Sequence, residues 1–227
     1  MKKIIITESQ KKKLVNEAIG LGFSFGMLKS LKSFKGRFNY CKEYLGMVIG
    51  KGSSRVVFQI DDEWVLKLAM NKKGIAQNEV EQQLCNDNYQ DITPNMNNKL
   101  SDIDDYKFIV SEYVIPASRN DFINIFGITP DEFFNFITNV VRKHDICRNY
   151  MTFNYREYSD EEFSEMCEKE ELLDFYDYLT NYYPDRNTLA DMQVLSNYGI
   201  VNRNGEPKIV LLDSGYNEDV YNKFYKR

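Results

Sequence analysis

Histidine is nearly absent: His144 is the single imidazole in 227 residues. Ser-His-Asp and Cys-His catalysis are therefore excluded unless His144 itself serves, and its setting in NVVRKHDICRN predicts a solvated helix end. Cysteine is sparse as well. Cys41, Cys85, Cys147 and Cys167 are scattered with no C-x-x-C pair, which argues against a zinc site and a disulfide framework and predicts four buried, reduced thiols. Long hydrophobic runs are missing, since no window approaches the roughly 18 apolar residues of a membrane span. The opening MKKIIITESQ has too short an apolar run before Glu8 for a signal peptide. A cytoplasmic protein that engages no membrane is expected. Neither an internal repeat nor a low-complexity linker is present, and 43% hydrophobic residues exclude compositional disorder.

What is present is an uneven distribution of charge. Residues 1–55 hold 12 of the 29 basic residues and 3 of the 34 acidic ones, so a segment of +9 precedes a remainder of −14. Such an arm can attract nucleic acid or an acidic surface. It lacks regularly interleaved aromatics for base stacking, so solvated helix faces, or docking onto the acidic half, rank ahead of nucleic-acid binding.

Along the chain, KKIIIT suggests a short strand or extended arm, and a helix over about Glu8–Ala18 opens on a capping box of Thr7 and Gln10. After GLGFSFG, an amphipathic stretch sets Met27, Leu28, Leu31 and Phe34 against Lys29, Lys32 and Lys35. Packing on its own domain is preferred over a membrane or partner surface. From Tyr44 the pattern becomes β: YLGMVIGKGSSRVVFQI and EWVLKLA, with Asp61-Asp62 as the turn. A helix opened by Gly74 follows, then the strand YKFIVSEYVIPA, ended by Pro116. A helix marked by Thr129, Pro130 and Glu132 comes next. One acidic, tyrosine-rich helix spans 160–182, and a buried strand, KIVLLDSG, precedes a short tail.

GKGSSR raises the question of a phosphate loop. A P-loop needs four residues between its glycine and the Gly-Lys pair, and here there are too few. A dinucleotide fingerprint needs a helix directly after the glycines, whereas VVFQI reads as strand. What remains is a glycine hairpin between antiparallel strands, which can lay backbone amides over a triphosphate. The next strand should then present a cation. In WVLKLA the alternation puts Val65, Lys67 and Ala69 on one face and Trp64, Leu66 and Leu68 on the other. A lysine buried in an apolar strand needs an acidic partner. Glu81 is preferred, because Leu84 anchors that helix face inward; Glu79 is the alternative.

Taken in order, these segments resemble the small lobe of the protein-kinase-like superfamily. Gly50 and Gly52 match the first two glycines of G-x-G-x-x-G-x-V and Val57 its valine, while Arg55 stands at the third glycine. The resemblance implies that Gly50, Gly52 and Ser53 cover the nucleotide, that Val57 and Val65 line the adenine, and that Lys67, positioned by Glu81, holds the phosphates. FIVSEYV resembles a hinge whose backbone at Glu112 and Val114 meets the adenine edge. Further on, LADMQVLSNYGIVNRNGEPKIVLLDSG resembles the catalytic loop, hairpin and metal-binding acid, implying Asp191 as base or acceptor-orienting acid and Asn197 and Asp213 as magnesium ligands. HDICRN at 144–149 mimics a catalytic loop but lacks a following hairpin.

Departures from the family pattern are also plain. The Asp191–Asn197 spacing is one residue long, Gln193 replaces a phosphate-contacting lysine, and 12 residues follow Gly215, which leaves no room for an activation segment or peptide-binding helices. The overall string is similar to kinase-like proteins encoded by bacteriophages. The fold implied is α+β and two-lobed: a basic helical extension at 1–43, an antiparallel-sheet small lobe at 44–115 and a truncated, mainly helical large lobe at 116–227. The function implied is ATP and Mg2+ binding with transfer of the γ-phosphate to an acceptor. The alternative is a catalytically silent, pseudokinase-like phage protein in a virion or host-interaction role, with the basic extension contacting phage or host proteins. Either role is expected in the host-cell cytoplasm or on the virion.

Overall fold

The computed structural model describes residues 22–87, 89, 91–147, 155–182 and 184–226. The strand and capped helix expected before residue 21 lie outside the described residues. Among those described, nine α-helices and two antiparallel sheets make an α+β protein. None of the helices is long and apolar enough to cross a membrane. The chain forms two compact units. One comprises the described residues up to Glu79 with Asn95–Tyr113, and the other comprises Val80–Pro94 with the described residues from Val114 onward. The compact units therefore divide the chain differently from the segments 1–43, 44–115 and 116–227.

In the first unit the expected single amphipathic stretch is two helices, α1 (Phe25–Ser30) and α2 (Phe34–Tyr44). Ser33 breaks it, because its hydroxyl accepts from the Gly36 amide and starts a new helix. Helix α2 also takes in Tyr44, so β structure begins only at β1 (Val48–Lys51). β2 (Arg55–Gln59), β3 (Trp64–Ala69) and β4 (Phe108–Glu112) complete a sheet in the order β1-β2-β3-β4. Asp61 makes the β2–β3 turn by accepting from the amides of Glu63 and Trp64.

Alternation along β3 sorts the sheet's two faces. Val56, Phe58, Leu66, Leu68, Phe108 and Val110 form one core with Leu28 and Cys41 of the two helices. Each such side chain contributes about 1.5–3 kcal/mol on burial, so α1 and α2 are part of this unit's core. Lys29 Nζ lies 3.3 Å from the fully buried carboxylate of Asp102, which ties α1 to the segment before β4. The row Gly50–Val57–Lys67–Ile109 runs across the opposite face.

Helix α3 (Lys72–Asn86) follows β3. Gly74 does not open it. Asn71 does, its side chain accepting from the Gly74 amide at 3.1 Å. Gly74 serves a close approach instead, since a Cβ there would stand 2.2 Å from the Ser54 carbonyl oxygen.

In the second unit, the strand expected to run through Pro116 is interrupted at Tyr113-Val114 and resumes as β5 (Ile115–Pro116), in another sheet. Helices α4 (Arg119–Phe126), α5 (Pro130–Lys143), α6 (Asp160–Cys167), α7 (Glu170–Tyr182) and α8 (Arg186–Asp191) follow. β6 (Tyr198–Arg203) and β7 (Glu206–Leu211) pair antiparallel, and α9 (Glu218–Phe224) ends the described chain. Thr129, Pro130 and Glu132 open α5 with the expected capping box. The single helix expected over 160–182 is divided at Glu168-Lys169. Helix α6 buries none of its residues, whereas α7 buries Leu172, Phe175, Tyr178 and Leu179, so the second segment is aimed independently at the core.

Phe133 centres that core, with ring centroids 5.0 Å from Phe175, 5.2 Å from Phe126 and 5.5 Å from Tyr198. The expected strand-turn-strand at the C-terminal end is present. Asn204 and Gly205, at φ 57° and 93°, supply the left-handed turn that a two-residue hairpin loop requires. His144 is exposed at the end of α5 as expected, within 3.0 Å of the Tyr176 hydroxyl. Of the four thiols, all free, Cys41 and Cys85 are buried. Cys147 and Cys167 are half-buried, the latter because α6 packs shallowly.

Candidate functional site

The residues singled out in the sequence fall into two groups, one in each unit. In the first unit they are Gly50, Gly52, Ser53, Val57, Val65, Lys67 and Glu112. β1 and β2 make the glycine hairpin, with Lys51 opposite Val56 and the Gly52 amide donating to the Arg55 carbonyl at 2.9 Å, so Ser53 and Ser54 form its tip. Gly50 pairs with Val57, and Val57 in turn with Lys67, by strand register. Lys67 is 7% exposed and Val65 is 4% exposed. Lys67 is thus a cation in the middle of a sheet, one strand from the hairpin. Arg55, at the position of the missing glycine, is buried and donates to the Asn78 side chain at 3.3 Å, so its guanidinium is committed to α3.

Glu112 ends β4. Its amide donates to the Asn95 carbonyl and its carboxylate accepts from the Asn95 amide, while the Tyr113 amide donates to the Glu63 carbonyl. These bonds fix the backbone of the hinge-like segment. Val114, one residue further, is buried in the second unit against Val201 and Val210. Glu81 and Glu79 both lie on α3. Glu81, the preferred partner for Lys67, is 3% exposed and is the more deeply buried of the two, as is Leu84 beside it.

In the second unit Asp191, Asn197 and Asp213 come together. Asp191 ends α8, which Asp185 caps by accepting from the amides of Asn187 and Thr188. The chain then turns through a 3-10 segment, Leu195–Asn197, and the Asn197 side-chain amide donates to the Asp191 carbonyl at 3.0 Å. Buried Tyr198 holds the same turn by donating to the Met192 carbonyl at 2.6 Å.

Tyr198 pairs with Leu211 in the hairpin, and one step beyond, the Leu212 amide donates to the Asn197 carbonyl at 2.7 Å. Asp213 follows at that end of the hairpin. Gly199 is required there, because a Cβ would meet the Val114 side chain at 2.4 Å and the Ile115 carbonyl oxygen at 2.7 Å.

Electrostatics mark this cluster out. Partial burial, and after it the negative charge of Asp213, together push the Asp191 carboxyl up to about 7. Two carboxylates sharing a partly desolvated site repel, and a cation relieves both penalties at once. The Asn197 nitrogen is committed to Asp191, which leaves its oxygen as the end that can ligate. Among the described residues no group of three or more His, Cys, Asp or Glu is placed to hold a metal. One amide oxygen and one or two carboxylates are hard oxygen donors, of the kind that suits Mg2+ shared with phosphate and water.

Some neighbouring residues were not legible in the sequence. Asp185 also accepts from the Glu218 amide at 2.6 Å, and Thr188 donates to the Tyr216 carbonyl, so α8 and α9 are fixed together beside Asp191. An Asp directly after Pro184 and ahead of a short helical segment was the available signal for Asp185. Gln193, at the position of the missing lysine, donates to the Phe134 carbonyl at 3.1 Å and is held against α5. Two surface concavities of this unit, about 340 Å3 beside Arg156 and about 450 Å3 beside Lys208, are lined by none of the site residues. Carboxylates there already have partners, such as Glu162 with Arg156 and Asp174 with Lys208.

No protein-family model matches the chain, and no curated protein matches its sequence.

Proposed function

We propose that the protein has a protein-kinase-like fold and is an ATP- and Mg2+-binding phosphotransferase acting on a hydroxyl-bearing acceptor. The observation that carries this proposal is the grouping of Asp191, Asn197 and Asp213, in which partial burial first and the Asp213 charge second raise the Asp191 carboxyl to about 7. In that role Asp213 and the Asn197 side-chain oxygen hold the metal. Magnesium supplies charge neutralisation of the phosphates when bound.

Asp191, with a proton affinity near 7, is suited to orient an acceptor hydroxyl and accept its proton. Lys67, preset on β3 beside the glycine hairpin, offers its ammonium to the phosphates, and the Gly50–Ser53 backbone covers them. Catalysis of this kind rests on positioning and charge, with no covalent intermediate on the protein.

The test is thermal melting of the full chain with ATP and magnesium. A melting-temperature rise that requires both ligands and is lost in Lys67→Met and in Asp213→Asn is expected. An unmoved melting curve for the wild-type protein rejects the proposal.

A further inference from the structure

The tip of the glycine hairpin is fastened to the first turns of α3 by a set of bonds within the first unit. Asn71 donates from its side chain to the Ser53 carbonyl at 3.0 Å, and the Met70 amide donates to the Ser54 carbonyl at 2.8 Å. Ser54 donates to the Gln77 side chain, Arg55 reaches Asn78, and Gly74 admits the Ser54 carbonyl into contact. A loop held at this many points is preset for a ligand, so a ligand spends little binding energy on ordering it.

One of these contacts brings a charge. Lys73 Nζ donates to Ser53 Oγ at 3.0 Å, which stations an ammonium at the hairpin tip. The Ser53 hydroxyl, accepting from that ammonium, keeps its own proton to donate. Among the described residues the amides of Ser53 and Ser54 have no acceptor. Two backbone donors, one hydroxyl and one ammonium are thus gathered on two consecutive residues and one lysine. That is a donor set for a polyanion, because each of these bonds is strengthened when its acceptor is charged.

We infer that Lys73 is a second phosphate-binding cation, presented by Ser53, and that it grips the outer end of a nucleotide's polyphosphate. This inference rests on the glycine hairpin being the nucleotide-phosphate loop. It also gives a reason for Arg55 at the position of the family's third glycine: Arg55 builds the seam that holds the tip.

Calorimetric titration of ATP and of tripolyphosphate, each with magnesium, into the full chain and its variants tests it. Lys73→Ala should weaken both ligands about tenfold or more, about 1.4 kcal/mol. Lys73→Arg should restore most of the affinity. Lys72→Ala, which removes the same charge from the exposed neighbouring position, should change little.

Wild-type affinity for both ligands in Lys73→Ala, or an equal loss in Lys72→Ala, overturns the inference. Loss of ATP binding in Lys67→Met within the same series then leaves the nucleotide proposal standing. Tripolyphosphate binding that depends on Lys73, in a protein that does not bind ATP, supports the anion site and removes the nucleotide proposal. A wild-type chain that binds neither ligand overturns both.

Discussion

Asp191 carries an unfavourable position that a structural role does not explain. Its carboxyl titrates near 7 in the folded chain and near 3.9 when unfolded, through burial first and Asp213 second. A raised carboxyl favours the folded state below about pH 4, and that contribution is lost as pH rises through about 7. Solvent reaches part of the group, so the loss is on the order of 1 kcal/mol and not the full value of the shift. Asp213→Asn should therefore raise the melting temperature of the ligand-free protein at pH 8 while leaving it nearly unchanged at pH 4. Melting curves across that range check this, and an equal change at both pH values would contradict it.

Asp191, Asn197 and Asp213 were singled out through the order in which the kinase-like resemblance places them, and not through any periodicity of their own. Lys67 was legible because alternation left a charge on a buried strand. Asp185 and Thr188 escaped notice because they act through main-chain bonds, which leave no periodic signature. Lys73 escaped for another reason: among clustered lysines in the sequence, nothing distinguishes the one that meets Ser53.

At the scale of elements, the seam between the glycine hairpin and α3 is the feature that sequence periodicity could not supply. Gly74 suggests a helix start by composition, yet its role is the contact with the Ser54 carbonyl. Gly74→Ala should drive the hairpin from the helix and destabilise the protein by about 2 kcal/mol or more, the cost typical of a buried backbone clash. Denaturant unfolding measures this, and a change below about 0.5 kcal/mol would contradict the geometry.

Caps explain which helices could be read in advance. Thr129 and Glu132 announced α5, whereas α4 was missed although Ser118, Asp121 and Gly127 cap it by the same rule. Helices α8 and α9 span 6 and 7 residues, too few for an apolar period to emerge. The division of α6 from α7 was hidden because no glycine or proline marks it, only Glu168 and Lys169.

For the whole molecule, the basic N-terminal region reads as an arm by its charge alone, and its described part, from α1 onward, is built into a core, as its amphipathic stretch led one to expect. Leu28 and Cys41 are fully buried with Phe58, Leu66 and Leu68. Charge counts report the lysines on the outer faces; the apolar spacing, Leu28 among it, reports the side that faces the sheet. A chain beginning at Leu45 should expose that face and lose cooperative melting, since the lost burial is comparable to the whole stability of about 5–15 kcal/mol. Cooperative melting of that truncated chain at the wild-type temperature would contradict the packing.

The proposed role of Asp213 and its neighbours is to hold a cation that a nucleotide needs, and calorimetric titration of ATP into the full chain, with and without magnesium, is the decisive experiment. Binding should strengthen at least about tenfold with magnesium and lose that dependence in Asp213→Asn. ATP binding of equal strength with and without magnesium, or a magnesium effect undiminished in Asp213→Asn, would contradict it.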